Sequence, residues 1–356
     1  MNTSSLRGPL ALRTVAVFLL SAITTQAQTY IFGRLDLAVG SGPFSVATGD
    51  FNGDGILDLV SVAQGNNTVS VSLGKADGTF NPPVFYPVGP APTALAVADF
   101  NGDGNLDLAV SDGNCTIQPP GELDCTTGMV SILLGNGDGT CQSHFDYATG
   151  REPASVAVGD FNGDGKPDLA IANEVDSTIS VLLGNGDGTF KPQVVYTTAL
   201  QFDSAYQYSR PQSLIIGDFN GDHKLDLAIA GQTAVSVLLG NGDGAFQTHL
   251  DSGAGGDSLA AGDLNDDGHL DLVVTGGGQS TSVLLGRGDG TFVVNATYPG
   301  GSSAAIGDLN GDGKSDLVIA AGGGVNDSNN GSIAVLLGNG DGTFQPGVQY
   351  GAVPAG

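Results

Sequence analysis

The chain has 356 residues, 58 of them glycine and none tryptophan, and its 40% hydrophobic content is enough to build a core, which excludes a disordered chain. Its 37 acidic and 11 basic residues give a formal net charge of −26. Such a chain cannot replace the counterions of nucleic acid or of an anionic membrane surface, so both are excluded as partners and cations are favoured.

Residues 1–27 read as a secretory signal peptide: Arg7 and Arg13, then the apolar run VAVFLLSAI (15–23), then the small-residue site Thr25-Gln26-Ala27. The apolar run is too short for a permanent membrane anchor, and no later stretch is apolar for long enough to span one. The expectation is a secreted or cell-surface protein whose residues 28–356 form one domain. Of three cysteines, Cys115 and Cys125 share the stretch NCTIQPPGELDC and are close enough in sequence to pair, whereas Cys141 stands where other copies of the same motif carry phenylalanine. A small buried role is expected for Cys141.

From residue 50 onward the chain repeats. DFNGDGILD (50–58), DFNGDGNLD (99–107), DFNGDGKPD (160–168), DFNGDHKLD (218–226), DLNDDGHLD (263–271) and DLNGDGKSD (308–316) start 49, 61, 58, 45 and 45 residues apart. That period suits a four-stranded propeller blade. In the third copy, SVAVGDF (155–161) precedes the acidic loop, and DLAIAN (168–173) and TISVLLG (178–184) follow it. A turn, NGDGTF (185–190), then leads to KPQVVYT (191–197). Short runs of Val, Ile and Leu bounded by Gly, Asn and Asp are strands, and the near-continuous apolar ones are buried on both sheet faces. The fold class is therefore all-β: a β-propeller of four-stranded antiparallel blades, six by residue count, seven requiring a blade for which residues are missing. One strand is left over. FGRLDLAVG (32–40) aligns with the fourth strand of the first unit, FNPPVFYPVG (80–89), while FQPGVQY (344–350) is also a fourth strand, so either end can close the ring.

The acidic loops have the spacing D-x-N-x-D-G-x-x-D. Side-chain oxygens at positions 1, 3, 5 and 9 and a backbone carbonyl at 7 can converge on a cation when glycine at 6 permits the turn. The candidate ligands are Asp50, Asn52, Asp54, Ile56 and Asp58; Asp99, Asn101, Asp103, Asn105 and Asp107; and Asp160, Asn162, Asp164, Lys166 and Asp168. The later loops offer Asp218, Asn220, Asp222, Lys224 and Asp226; Asp263, Asn265, Asp267, His269 and Asp271; and Asp308, Asn310, Asp312, Lys314 and Asp316. Each fifth name contributes a side chain and each fourth a backbone carbonyl. All-oxygen donors point to Ca2+, at up to six sites, over zinc, copper or magnesium. The competing reading is an Asx-rich turn that satisfies its own backbone. Position 12 is Ser61, Val110, Ile171, Ile229, Val274 or Ile319, which rules out an EF-hand. His223 replaces the position-6 glycine of the fourth loop, and Asp266 a glycine of the fifth.

These loops, the L-D-L-A-V-A-like strands after them and the L-L-G-N-G-D-G-T-F turns resemble the FG-GAP/VCBS repeat proteins, whose best-known propeller is the N-terminal one of integrin α chains. The resemblance spans about residues 30–350. It implies calcium held between the first two strands of each blade. The NGDG turns (77–80, 136–141, 185–190, 241–246, 287–292 and 339–344) carry one aspartate each and read as hairpin chemistry, with the following phenylalanine plugging the gap between blades. Arg287-Gly288-Asp289 is the same turn.

Antiparallel alternation puts the acidic loops and NGDG turns on one face. The longer segments 111–128, 197–212 and 321–331 then fall on the opposite face, where a rigid scaffold tends to carry binding. Within 197–212, Phe202, Tyr206, Tyr208 and Arg210 are the candidate partner-binding residues. The four histidines occupy unrelated repeat positions, and no nucleophile elbow, zincin helix or P-loop occurs. The reading is a calcium-binding extracellular binding or adhesion module for a protein or glycan, with a carbohydrate-binding lectin second and a polysaccharide-active enzyme third.

Overall fold

The computed structural model describes residues 37–118, 122–198, 200, 210–276, 280–321 and 332–351, with side chains described over the same spans except 114–126, 321 and 351. The signal segment, Phe202, Tyr206 and Tyr208 lie outside them. Six separate four-stranded sheets follow one another in chain order, each pairing its strands in sequence and antiparallel. Blade 1 consists of Pro43–Gly49, Asp58–Ala63, Thr68–Ser72 and Val84–Pro87, and blade 2 of Pro92–Ala98, Asp107–Gln118, Glu122–Leu133 and Phe145–Thr149. Blade 3 is Pro153–Gly159, Asp168–Asn173, Thr178–Leu182 and Val194–Thr197, and blade 4 is Ser213–Gly217, Asp226–Gly231, Ala234–Leu238 and Leu250–Ser252. Blade 5 is Ser258–Gly262, Asp271–Gly276, Ser280–Gly286 and Phe292–Pro299, and blade 6 is Ser303–Gly307, Asp316–Ala321, Ser332–Leu336 and Val348–Gly351. The fold is a six-bladed β-propeller with the first strand of each blade innermost.

The second strands show why the pattern folds this way. All six residues of Asp168–Asn173 are buried, because alternate side chains enter the interfaces on the two sides of the blade. Leu169 and Ile171 pack towards blade 2, while Ala170 and Ala172 pack towards blade 4. Five apolar clusters fill the five interfaces from blade 1 to blade 6.

Each of these interfaces is fastened identically at the loop face. The second glycine of one NGDG turn donates its N–H to the carbonyl of the loop's position-2 residue in the preceding blade: Gly139 to Phe51, Gly188 to Phe100, Gly244 to Phe161, Gly290 to Phe219 and Gly342 to Leu264, at 2.9–3.0 Å. The turn's phenylalanine meets the same loop edge-on, as Phe190 does Phe100 at 5.5 Å and Phe246 does Phe161 at 5.5 Å. The plug expected from sequence is present. At the first interface Cys141 takes that place as a half-buried free thiol packed beside Val110 and Leu133. Burial first, then the carboxylates of Asp107 and Asp138, pushes its pKa up to about 12.

The sixth interface, between blades 6 and 1, lacks this fastening among the described residues. Gly78 donates within its own turn, to Lys75 at 2.9 Å. Leu309 is 43% exposed, against 2–4% for Phe51, Phe100, Phe161, Phe219 and Leu264. At three of the other interfaces the residue before the position-9 aspartate fits over the last glycine of the preceding blade's first strand: Leu106 over Gly49, Leu225 over Gly159 and Leu270 over Gly217. Leu57 is 63% exposed, and Gly307 has no neighbour where a Cβ would sit. Of the two candidate closing strands, Val348–Gly351 is the fourth strand of blade 6, whereas residues 37–40 join no sheet and Gly40 lies against Ala63 of blade 1.

One expected loop is a sheet extension. In blade 2 the second and third strands run 12 residues each, and their register continues through Cys115 opposite Cys125 to Gln118 opposite Glu122. Segment 111–128 is therefore a hairpin arm. Pro-Pro-Gly favours a loop, but the flanking Cys-Thr-Ile-Gln and Glu-Leu-Asp-Cys satisfy their backbone groups by pairing. Among the described residues no helix is long and apolar enough to cross a membrane.

Candidate metal centre

The six acidic loops all join the first and second strands and lie on one face of the propeller. Loop 3 sets the pattern. Asp160 accepts backbone N–H bonds from Gly163 (2.7 Å), Asp164 (3.1 Å) and Gly165 (2.8 Å). Asn162 Oδ1 accepts from Asp164 (2.9 Å), and Asp164 Oδ1 from Lys166 (3.0 Å). In loops 1, 2, 4, 5 and 6 the position-6 N–H likewise donates to the position-1 carboxylate, of Asp50, Asp99, Asp218, Asp263 and Asp308, at 2.8–2.9 Å. Positive φ is needed at positions 4 and 6, where most loops have glycine. His223 (φ 64°) and Asp266 (φ 59°) adopt the same conformation as the glycines they replace.

Position 9 has a role that the spacing alone did not reveal. Asp168 is fully buried and accepts from Phe161 N–H (2.9 Å) through one oxygen and from Gly184 N–H (2.7 Å) through the other, tying the acidic loop to the end of the third strand. Asp58, Asp107, Asp226, Asp271 and Asp316 make the equivalent pairs of bonds. The signal was present in the glycine of each L-L-G. At Gly74, Gly135, Gly184, Gly240, Gly286 and Gly338 an added Cβ would lie 2.2 Å from the carbonyl oxygen of the residue before the aspartate, so only glycine allows the approach.

Position 9 and the loop tips differ electrostatically. Bonds from backbone amides, led by Gly55 to Asp50 and Gly313 to Asp308, hold those carboxyls below the usual range, so they are ionised. Burial first pushes Asp107, Asp168 and Asp226 up to about 6, against their backbone bonds, and the position-5 and position-1 carboxylates raise them further. Asp271 is raised for the same reasons. The side chains engage backbone amides, and among the described residues no three His, Cys, Asp or Glu converge as a metal-holding group. The donor chemistry nevertheless fits a hard divalent cation: each loop concentrates negative charge on oxygens alone and sets a fully buried carboxyl behind its acidic tip.

The other sequence-derived candidates resolve into turns and an ion pair. Asp187 Oδ1 accepts from Thr189 N–H and Oγ1–H (3.0 and 2.5 Å), and Asp289 binds Thr291 the same way, so Arg287-Gly288-Asp289 is an ordinary NGDG-type turn. Arg210 sits on the opposite face, 3.3 Å from Glu174 and 3.7 Å from Glu152 of blade 3.

Six consecutive four-stranded blades bearing repeated oxygen-rich loops define a repeat-built propeller. The FG-GAP-like repeat model matches residues 50–110, 123–171, 160–229, 218–274 and 263–319, more than half of the chain, and the chain belongs to that family. No curated protein matches it. Among solved structures, an Agrocybe aegerita lectin described as recognising non-reducing terminal N-acetylglucosamine is 21% identical, with a TM-score of 0.55 over 86% of this chain and 80% of its own. A putative 6-phosphogluconolactonase from Bacteroides fragilis is 14% identical, with a TM-score of 0.54 over 87% of this chain and 82% of its own. BBS1N, solved in complex with ARL6DN, is 11% identical, with a TM-score of 0.53 over 84% of this chain and 80% of its own. At such identities the likeness is one of fold.

Proposed function

We propose that the protein is an exported, calcium-binding propeller that serves as an extracellular binding or adhesion module, with the cation structural. The observation that carries this reading is the sixfold recurrence, on one face, of an all-oxygen loop whose carboxylates repel one another. In each loop positions 1, 3, 5 and 9 and the position-7 carbonyl would hold the ion, which supplies charge neutralisation and a clamp on the turn. Residues 1–27 support export. The net charge of −26 disfavours nucleic acid and leaves a protein or glycan as partner. A lectin-like role is the second reading, favoured by the fold shared with the A. aegerita lectin.

Extracellular calcium modules bind at roughly 10⁻⁴ to 10⁻³ M. At tenfold excess over the dissociation constant one site adds roughly 1.4 kcal/mol, and six independent sites roughly 8 kcal/mol, comparable with the whole stability of a domain, about 5–15 kcal/mol. Melting curves in calcium and in EGTA test the cation, and coincident curves defeat it. Capture from extracellular material, with and without calcium, tests the binding role. Failure to retain any partner in calcium defeats that part.

A further inference from the structure

The face opposite the acidic loops holds a second feature. The inner strands begin there, and register-equivalent residues, one from each blade, surround the central axis: Phe44, Thr93, Ala154, Gln212, Asp257 and Ser302. All six line two adjoining cavities of about 390 and 400 Å³ that share Phe44, Thr93 and Gln212. These volumes fall in the range of small-molecule sites, about 300–1,000 Å³.

Phe44 breaks the repeat. Five blades place a small or polar residue at this position, and the first places a phenylalanine that is 60% exposed. An exposed aromatic inside a cavity offers an apolar face that none of the described residues covers. Around it stand Ser45, Gln212, Ser258 and Ser303, whose side chains make no hydrogen bond with the described residues. Thr93, by contrast, is committed to Ser111 and to the Pro153 carbonyl. The mouth therefore presents one aromatic platform with uncommitted hydroxyls and a carboxamide at its rim.

Charge selects among ligands. An anion would meet Asp257, Glu152 and Glu174, and among the described lining residues there is no cation; Arg210, beside the lining, already lies between the two glutamates. A hydrocarbon would leave the hydroxyls unpaired. A neutral polyol with an apolar ring face satisfies both groups. We propose that the central mouth binds a neutral saccharide, stacked on Phe44 and hydrogen-bonded by Gln212, Ser258 and Ser303. The inference rests on the binding-module reading and names the ligand class of its face opposite the metal loops.

The test is a printed array of neutral mono- and oligosaccharides, read in calcium with the whole chain, its F44A and Q212A variants, and F145A as control. Phe145 is equally exposed, at 60%, but lies on the outer strand of blade 2. Both Phe44 and Phe145 are exposed, so either truncation leaves the core intact, and unchanged melting midpoints verify that. The expected result is retention on at least one neutral glycan, weakened about tenfold or more by F44A, weakened by Q212A and unaffected by F145A. Retention that F44A leaves unchanged overturns the site while sparing a lectin role elsewhere. An array without any neutral ligand overturns the saccharide, and partner capture from extracellular material then decides separately whether the binding-module reading survives.

Discussion

Truncating the residue that caps each interface measures whether the ring is fastened sixfold or fivefold. Leu225 and Leu270 are partly buried within the clusters that join blades 3 to 4 and 4 to 5, whereas Leu57, in the same repeat position, is 63% exposed. Truncating a fully buried leucine to alanine costs about 2–5 kcal/mol, so L225A and L270A, only partly buried, should each cost about 1–3 kcal/mol. L57A loses little contact and should cost less than about 0.5 kcal/mol, as surface changes do. The reciprocal change sharpens the comparison. A Cβ on Gly49 would lie 2.6 Å from Leu106 Cδ1 and 3.2 Å from the Phe51 ring, so G49A obliges the Leu106 side chain to shift and should cost some stability; Gly307 meets nothing, so G307A should be neutral or slightly stabilising. Urea unfolding followed by circular dichroism, in one calcium concentration, gives all five differences. If L57A costs as much as L225A, Leu57 is seated on Gly307 in solution and the open sixth interface is refuted.

The L-L-G approach makes G184A a severe change, because its Cβ would stand 2.2 Å from the Pro167 carbonyl oxygen, which belongs to the backbone and cannot rotate away. A loss of about 3 kcal/mol or more by urea unfolding is expected, and a variant of unchanged midpoint would show the third strand to be displaced. Asp112, buried in blade 2, gives a pH dependence. The Ser131 hydroxyl lies 2.6 Å from Asp112 Oδ2 and 2.8 Å from Asp146 Oδ1, with His144 2.8 Å beyond, and its one proton cannot serve both carboxylates. Burial first, with the charge of Asp146, raises Asp112 from 3.8 to about 7 against the bonds from Ser131. The folded state therefore holds a proton between pH 4 and 7 that the unfolded state has lost, so stability falls as pH rises through that window and levels above it. D112N places a permanent donor towards Ser131 and should flatten the fall, by up to roughly 4 kcal/mol across the window. Parallel stability–pH curves for wild type and variant would contradict this.

The blades were legible because alternation and turn chemistry recur six times, so an ambiguous strand such as KPQVVYT is fixed by its register in the repeat. The acidic loops were legible for the same reason, down to the left-handed position that His223 occupies, whereas the second such position, filled by Asp266, came from the structure. What escaped depends on contacts between distant residues. The position-9 staple joins Asp168 to Gly184 across a whole hairpin, and its only local trace is a glycine that also reads as turn punctuation. The extension of blade 2 escaped because Pro-Pro-Gly dominates a short stretch, although the strand-forming residues on both sides determine the pairing. The aromatic platform escaped because Phe44, five residues before the first repeat's Gly49, becomes conspicuous only once six registers place it beside Thr93 and Gln212.

Where the repeats agree and where they diverge divides the molecule by face. The loop face repeats nearly the same carboxylates and amides in every blade, with His223, Asp266, Arg287 and the Lys75-Ala76-Asp77-Gly78 turn as departures, so it presents much the same contact six times. A ligand lacking sixfold symmetry gains no orientation from such a surface. Orientation requires unlike groups around a common point, and these gather at the other end of the strands. There lie Phe44 against its small or polar counterparts, the hairpin arm of blade 2, and Arg210 between two glutamates of blade 3. Uniform repeats suit the part of the molecule that the proposed cation would clamp in the same way in every blade. The face at which those repeats break down is the one that carries the unlike groups the proposed binding role requires.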